Sequence, residues 1–297
     1  MDKITELVRS FIDLHCHIGP EILPRRYTAR GILEAESGRI EGLALKNHVF
    51  PTTPFIAEAK EQLPDRKLRL IGSVTLNNFV GGFNPDAVYA AAKLSSERII
   101  VWFPTIHAAN HIQRRPGAEI PAEWGPKGFL SRSNEAVKPL SILDSAERIL
   151  PEVLEVLIAI RDNRCILATG HIAWQESKIL VKEALRLGVG RFIITHPIYR
   201  DTAMPIEVQR ELTQLPAVYA EQCYAMHSID RVPLAAIAQQ IGALPVEKVI
   251  LSSDMGQVTS PSASEGLAMF SRGLCELGIE EPRLAIMGAE NPRKILD

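Results

Sequence analysis

The sequence predicts a (β/α)8 TIM barrel. Three observations predict it: eight short apolar runs separated by amphipathic stretches, histidines and an aspartate gathered at the ends of those runs, and a length of 297 residues. Barrels of roughly 250 residues fold as single units, so the whole chain, residues 1–297, is read as one barrel. The runs are Phe11–His15, Gly42–Asn47, Leu68–Thr75, Arg98–Pro104, Cys165–His171, Arg191–His196, Ala217–Cys223 and Val249–Asp254. They are near-continuously hydrophobic rather than alternating, as parallel strands buried on both faces are. A doubly wound open sheet is the competing fold. It would carry a Gly-rich turn after the first strand, where this chain reads His15-Cys16-His17-Ile18-Gly19-Pro20.

The connections carry helix signals in order. Thr53–Pro54 and Asn84–Pro85 each read as an N-cap followed by proline at the first helical position. Residues 105–145 break the rhythm with Pro116, Gly117, Pro121, Gly125, Pro126 and Gly128. They follow the fourth strand, which makes them a lid-like insertion over the C-terminal face. Trp174–Leu187 repeats apolar residues at helical spacing and stops at Gly188, and Ser264–Leu277 stops in the same way at Gly278.

Composition narrows the function classes. Hydrophobic residues make up 46% and charged residues 23%, with a net charge of -2, so disordered and fibrous classes are excluded. No block of like charges offers a nucleic-acid groove or a polybasic membrane patch. No apolar run approaches the roughly 18 residues of a membrane span, and the charged N-terminus lacks a signal-peptide stretch. Cys16, Cys165, Cys223 and Cys275 are far apart, which predicts reduced thiols in the cytoplasm. A small-molecule substrate is the expected partner.

The histidines carry the chemistry. His15 and His17 end the first strand, His171 the fifth and His196 the sixth, while Asp254 ends the eighth. In a barrel these ends converge on one face. Residues i and i+2 of a strand point the same way, so His15 and His17 can hold one ion while Cys16 turns away. By the same alternation Asp13 is expected beside His15. Imidazole and carboxylate donors suit Zn2+ first, with Mn2+, Fe2+ and Ni2+ compatible. Any one of these histidines alone is as readily a helix cap or a core hydrogen-bonding group; the five residues together point to a metal.

Phe11-Ile12-Asp13-Leu14-His15-Cys16-His17, Thr169-Gly170-His171, Thr195-His196-Pro197 and Ser252-Ser253-Asp254, with the tail Glu290-Asn291-Pro292-Arg293-Lys294-Ile295-Leu296, resemble the amidohydrolase superfamily of metal-dependent hydrolases, nearest its phosphotriesterase-like and uncharacterised branches. The resemblance implies that His15, His17, His171, His196 and Asp254 bind one or two divalent ions and that Asp254 is catalytic, handling a proton of the activated water. It implies cleavage of an ester, lactone, amide or phosphoester. A metal-dependent decarboxylase on the same ligands is the alternative from another class, and a non-catalytic barrel is the third reading.

The chain departs from the pattern at the fourth strand, Ile99-Ile100-Val101-Trp102-Phe103-Pro104, which has no lysine or glutamate to bridge two ions. Lys46 and His48 stand instead at the end of the second strand, on one face. Either the site holds one ion, or a second is held through Lys46, His48 or His107; an ordinary ion pair is the plain reading of Lys46. Leu45-Lys46-Asn47-His48 also resembles a motif of the polymerase-and-histidinol-phosphatase (PHP) type phosphoesterases, without that group's later acidic ligands. Glu221, ending the seventh strand, would contact substrate, orient a ligand histidine or form a structural ion pair. Tyr199 follows His196 within reach of substrate. His107, His111, Arg114, Arg115, Trp124 and Lys127 of the insertion would clamp an anion or face solvent, and Trp124 and Phe129 offer a surface for a homo-oligomer. No Gly-x-Ser-x-Gly elbow is present, which disfavours a serine nucleophile.

Overall fold

The computed structural model describes residues 2–114 and 138–297. Nine strands among the described residues fill eight positions: β1 (Ile12–His17), β2 (Gly42–Lys46), β3 (Arg69–Ile71), β4 (Ser73–Thr75), β5 (Ile100–Trp102), β6 (Ile166–Ala168), β7 (Phe192–Ile194), β8 (Val218–Cys223) and β9 (Val249–Ser252). β3 and β4 are parted only by Gly72 and share the third position. Pairing is parallel throughout, in the order β1-β2-β3 and then β4 through β9. The ring closes where the chain beyond β9 runs beside β1. There Cys16 pairs with Met255, the Asp254 N–H donates to the His15 carbonyl at 2.8 Å and the His17 N–H donates to the Met255 carbonyl at 2.7 Å. The architecture is the (β/α)8 barrel that the apolar runs predict.

The barrel interior is a single cluster built from Ile12, Leu14, Ala44, Ile71, Ile100, Trp102, Ile166, Ala168, Ile193 and Ile250. Ile295 and Leu296, from the C-terminal helix Asn291–Leu296, join it. Arg98, just before β5, donates to the Leu296 carbonyl, and Arg293 donates to the Ser10 carbonyl, so this helix plugs the end where the strands begin. Outside the barrel, Leu43, Leu45, Leu251 and Phe270 belong to one helix-facing cluster, and Val101, Leu167, Leu180 and Phe192 to another. With the closed end and flanks apolar, the open end is left for polar side chains.

Two helix starts show what local sequence can specify. Asn84 is the N-cap of the helix Pro85–Lys93, its side chain accepting from the N–H groups of Asp86 and Ala87. Thr53, expected to be a cap, is instead the first residue of the helix Thr53–Gln62. Thr52 precedes it, and its hydroxyl donates to the Leu45 carbonyl rather than capping. The insertion after β5 opens with the helix Ala109–Arg114, and the chain rejoins at Leu140, which pairs with Ala108. Arg115, Trp124, Lys127 and Phe129 lie outside the described residues.

β1 corrects the expectation for Asp13. The β1–β2 register shifts between Asp13 and Cys16, so Leu14 and His15 together span one step of β2. Such a bulge reverses the side-chain alternation. Ile12 and Leu14 fill the interior, and His15, past the shift, also turns inward against Trp102 at 4.4 Å between rings. Cys16 joins the outer cluster. Asp13 therefore does not share the side of His15. Its Oδ1 accepts the backbone N–H groups of His15 and Ser253, both at 3.0 Å, which ties β1 to β9 at the seam.

Burial pushes the Asp13 carboxyl up to about 7 despite those two hydrogen bonds, and its Oδ2 has no hydrogen-bond partner. An unfolded aspartate titrates near 3.8. Between these values the folded protein holds a proton that the unfolded chain has released, so this group's contribution to stability falls as pH rises. Asp13→Asn, a mimic of the protonated acid, should flatten the pH dependence of urea unfolding between about pH 4 and pH 7 by up to about 4 kcal/mol. Equal pH slopes in wild type and variant would contradict this role.

Candidate metal centre

The mouth of the barrel is built from strand ends held in register. His17 lies beside Lys46 in the β1–β2 pair. His171 follows β6 through Gly170, which sits at φ +63°, where a Cβ would lie 2.2 Å from the Phe103 carbonyl oxygen. The Gly170 N–H donates to Thr195 Oγ1 at 3.0 Å, and the His171 N–H to the Pro104 carbonyl at 2.9 Å. That close approach fixes His171 against the end of β5. His196 and Asp254 themselves hold positive φ, at 23° and 52°. Non-glycine residues in this region are strained and collect at functional sites.

One carboxylate oxygen organises the cluster. Asp254 Oδ1 lies 3.0 Å from Nε2 of His15 and 3.0 Å from Nε2 of His17. On the other edge of His15, Nδ1 meets Glu221 Oε2 at 3.1 Å, and both side chains are fully buried. His196 stacks 5.7 Å from His15, and His171 lies 5.1 Å from His196. Tyr199 packs against both, at 5.2 Å from His171 and 5.0 Å from His196. The structure thus brings His15, His17, His171, His196, Asp254, Glu221 and Tyr199 together, with Glu221 paired to the edge of His15 opposite Asp254.

Lys46 and His48 face the same cluster. Lys46 Nζ is 2.9 Å from His15 Nε2 and 4.1 Å from the Trp102 ring centre. His15 Nε2 can donate to Asp254 or accept from Lys46, but not both at once. The His48 ring lies 4.7 Å from that of His17, and its Nδ1 meets Thr105 Oγ1 at 2.9 Å. Asn77 steadies this arm by donating to Thr105 Oγ1 and to the His48 carbonyl. The two insertion histidines divide. His107 is buried, accepting the Asn78 N–H at 3.0 Å and packing on Phe79. His111 reaches the cluster, 5.0 Å from His171, with its Nδ1 3.0 Å from Asp201 Oδ2. Arg114 is exposed and bonds to Asn110 instead.

Trp102, Asp201 and Asn77 contribute to the site without having stood out in the sequence. Trp102 had a signal, since it occupies an inward position at the end of the fourth strand. Asp201 and Asn77 are loop residues with no such pattern.

The electrostatics keep most of the imidazoles neutral. Burial holds His17, His48 and His171 well below the usual histidine range and brings His196 down to about 4. Burial alone would raise Asp254 and Glu221, but the neighbouring histidines, His15 foremost, hold both carboxyls down, Asp254 well below its ordinary value. Burial pulls Lys46 down to about 8, so it is still largely a cation at neutral pH.

These residues fit a divalent ion. Four imidazoles from three strand ends gather at the mouth, two of them on a low-pKa carboxylate, and Nδ1 of His17, His171 and His196 are buried without hydrogen-bond partners. His15, Cys223 and Asp254 each bring a donor atom within 4.8 Å of the others. Cys223 stands on the Glu221 edge of His15, 3.9 Å from Nδ1, and burial raises its thiol well above the ordinary value. His17, which shares the Asp254 oxygen, is the better third donor.

Fold and cluster together define a (β/α)8 barrel whose mouth gathers imidazoles around an aspartate. Solved structures bear out the fold. An amidohydrolase from Pseudomonas aeruginosa matches with a TM-score of 0.62 at 8% identity, covering 98% of this chain and 97% of its own. An amidohydrolase from Burkholderia multivorans with bound zinc matches at 0.56 and 13%, covering 97% and 99%. An organophosphorus hydrolase from Deinococcus radiodurans matches at 0.51 and 13%, covering 98% and 94%. At these identities the likeness is one of fold. The chain belongs to the family of unknown function DUF6282, whose model matches residues 10–221. That span includes the four histidines, Lys46 and Glu221 and stops short of Asp254. No curated protein matches the chain significantly.

Gly170→Ala should cost about 2–4 kcal/mol, because the methyl group meets backbone that cannot move aside. Gly278→Ala is the control: its φ is +88° but nothing lies within 4 Å of the added carbon, so strain alone should cost about 1 kcal/mol. Chemical unfolding of both variants measures the difference, and equal costs would contradict the close approach.

Proposed function

We propose that this protein is a metal-dependent hydrolase of small molecules that binds a divalent ion, Zn2+ first, through His15, His17, His171, His196 and Asp254. The observation that carries the reading is the single Asp254 oxygen held 3.0 Å from two imidazole nitrogens, beside two further buried histidines. An ion bound there supplies Lewis acidity, polarising a scissile C=O or P=O group and acidifying a water toward a pKa of about 7. Asp254, ionised at neutral pH, accepts the proton of the attacking water and passes it to the leaving group. Glu221 fixes the orientation of His15 by holding its Nδ1. Tyr199 walls the histidine pair, and His111, steadied by Asp201, faces the same space. Ester, lactone, amide or phosphoester bonds are the bonds this chemistry cleaves. The four free cysteines support a cytoplasmic setting.

Elemental analysis of protein purified without chelator tests the ion. Wild type should carry one or two equivalents, and the His171→Ala, Asp254→Ala double variant should carry almost none. A wild type that is metal-free and takes up neither Zn2+ nor Mn2+ would overturn the reading. On a substrate found by screening those bond types, Asp254→Asn should lower kcat by about 10²–10⁴-fold with the circular dichroism spectrum unchanged. Full activity in that variant would remove Asp254 from the proton path.

A further inference from the structure

Lys46 is a buried cation that feels the charges of Asp254 and Glu221 but, among the described residues, has no carboxylate within ion-pair distance. Its side chain ends β2 beside His17 and is 1% exposed. An ammonium group carries three N–H donors and is costly to bury unless it is paired. Among the described residues Lys46 forms no ion pair with a carboxylate. Among them its one polar neighbour within hydrogen-bond distance is His15 Nε2 at 2.9 Å, an atom that Asp254 also claims, and the Trp102 face lies 4.1 Å away. Asp254 is engaged with His15 and His17, and Glu221 with the far edge of His15. Glu221 Oε1 is buried and unpaired, yet it too lies beyond ion-pair distance of Lys46.

His15 Nε2 is also the nitrogen that faces Asp254 and would take the ion. Committing its lone pair there leaves Lys46 with the indole face alone, beside a divalent charge. With neutral imidazoles, Asp254 and Glu221 balance the ion and leave the lysine uncompensated. An anionic oxygen between the two cations removes the repulsion and satisfies the free N–H groups.

We propose that Lys46 anchors a small oxyanion of the substrate, a carboxylate or phosphate group, next to the ion, and so stands where a two-ion site would need its second ion. The assignment rests on the metal-hydrolase reading and gives that site a substrate class: anionic small molecules with the cleavable bond adjacent to the charged group. It also means that Lys46 acts as an unmodified ammonium.

Zn2+-loaded wild type, Lys46→Met and Lys46→Arg, titrated calorimetrically with glutarate and with inorganic phosphate, provide the test. Metal content and intact mass are measured on the same samples. The proposal expects one zinc equivalent, an unmodified mass, binding of at least one of the two anions to wild type, a loss of about tenfold or more in Lys46→Met and substantial recovery in Lys46→Arg. The anion that binds tells carboxylate from phosphate. Equal affinity in wild type and Lys46→Met, binding of neither anion to wild type, two zinc equivalents, or a mass showing a carboxylated lysine would each overturn it. Zero zinc in wild type would overturn the hydrolase reading as well, whereas one zinc with unchanged anion affinity would remove only the role of Lys46. If Lys46→Met does not fold, Lys46→Gln makes the same comparison with the charge alone removed.

Discussion

The Asp254 oxygen shared by His15 and His17 depends on how the barrel closes, and the rest of the mouth depends on that oxygen. β9 has no ladder partner of its own on the β1 side. The seam is made by the backbone of Asp254 and Met255 against His15 and His17, with Asp13 accepting an N–H from each side. The hydrogen bonds that close the ring therefore set the distance between the carboxylate and its two imidazoles. The bulge in β1 belongs to the same device, since without it His15 and Leu14 could not both face inward.

Concentrating so many polar groups at one end has an energetic cost, and the molecule meets it unevenly. Glu221 and Asp254 are paired to histidines, and His48 is tied through Thr105 to Asn77. Three imidazole nitrogens, one glutamate oxygen and most of the Lys46 donors are left unmet. Buried groups of this kind are destabilising unless something arrives to satisfy them. They mark where an ion and an anion would be held, while the apolar interior and the plugged lower end hold the strands in place.

Much of this was legible in the sequence because the fold and the chemistry each impose a repeating demand. Parallel strands buried on both faces must be apolar along their length, and donor residues must stand where such strands end, so the strand positions and the histidines could be read together. What was not legible was local. Alternation placed Asp13 beside His15, and nothing in the residues there announces a bulge. Thr52 and Thr53 are chemically alike, so the start of their helix was read one residue late. His107 and His111 looked equivalent in a loop; the structure sets His111 on the helix Ala109–Arg114 against His171, and His107 against Asn78 and Phe79. The fourth strand was read for the lysine or glutamate it lacks, and Trp102 was passed over although its inward position makes it the surface under Lys46.

The central claim is that imidazoles and Asp254, not Cys223, hold a divalent ion at this mouth. X-ray absorption at the zinc edge of the loaded protein tests it most directly. The account predicts nitrogen and oxygen neighbours at about 2.0–2.1 Å with the outer scattering of at least two imidazoles. A sulfur neighbour at about 2.3 Å, or a protein that takes up no zinc, would contradict it.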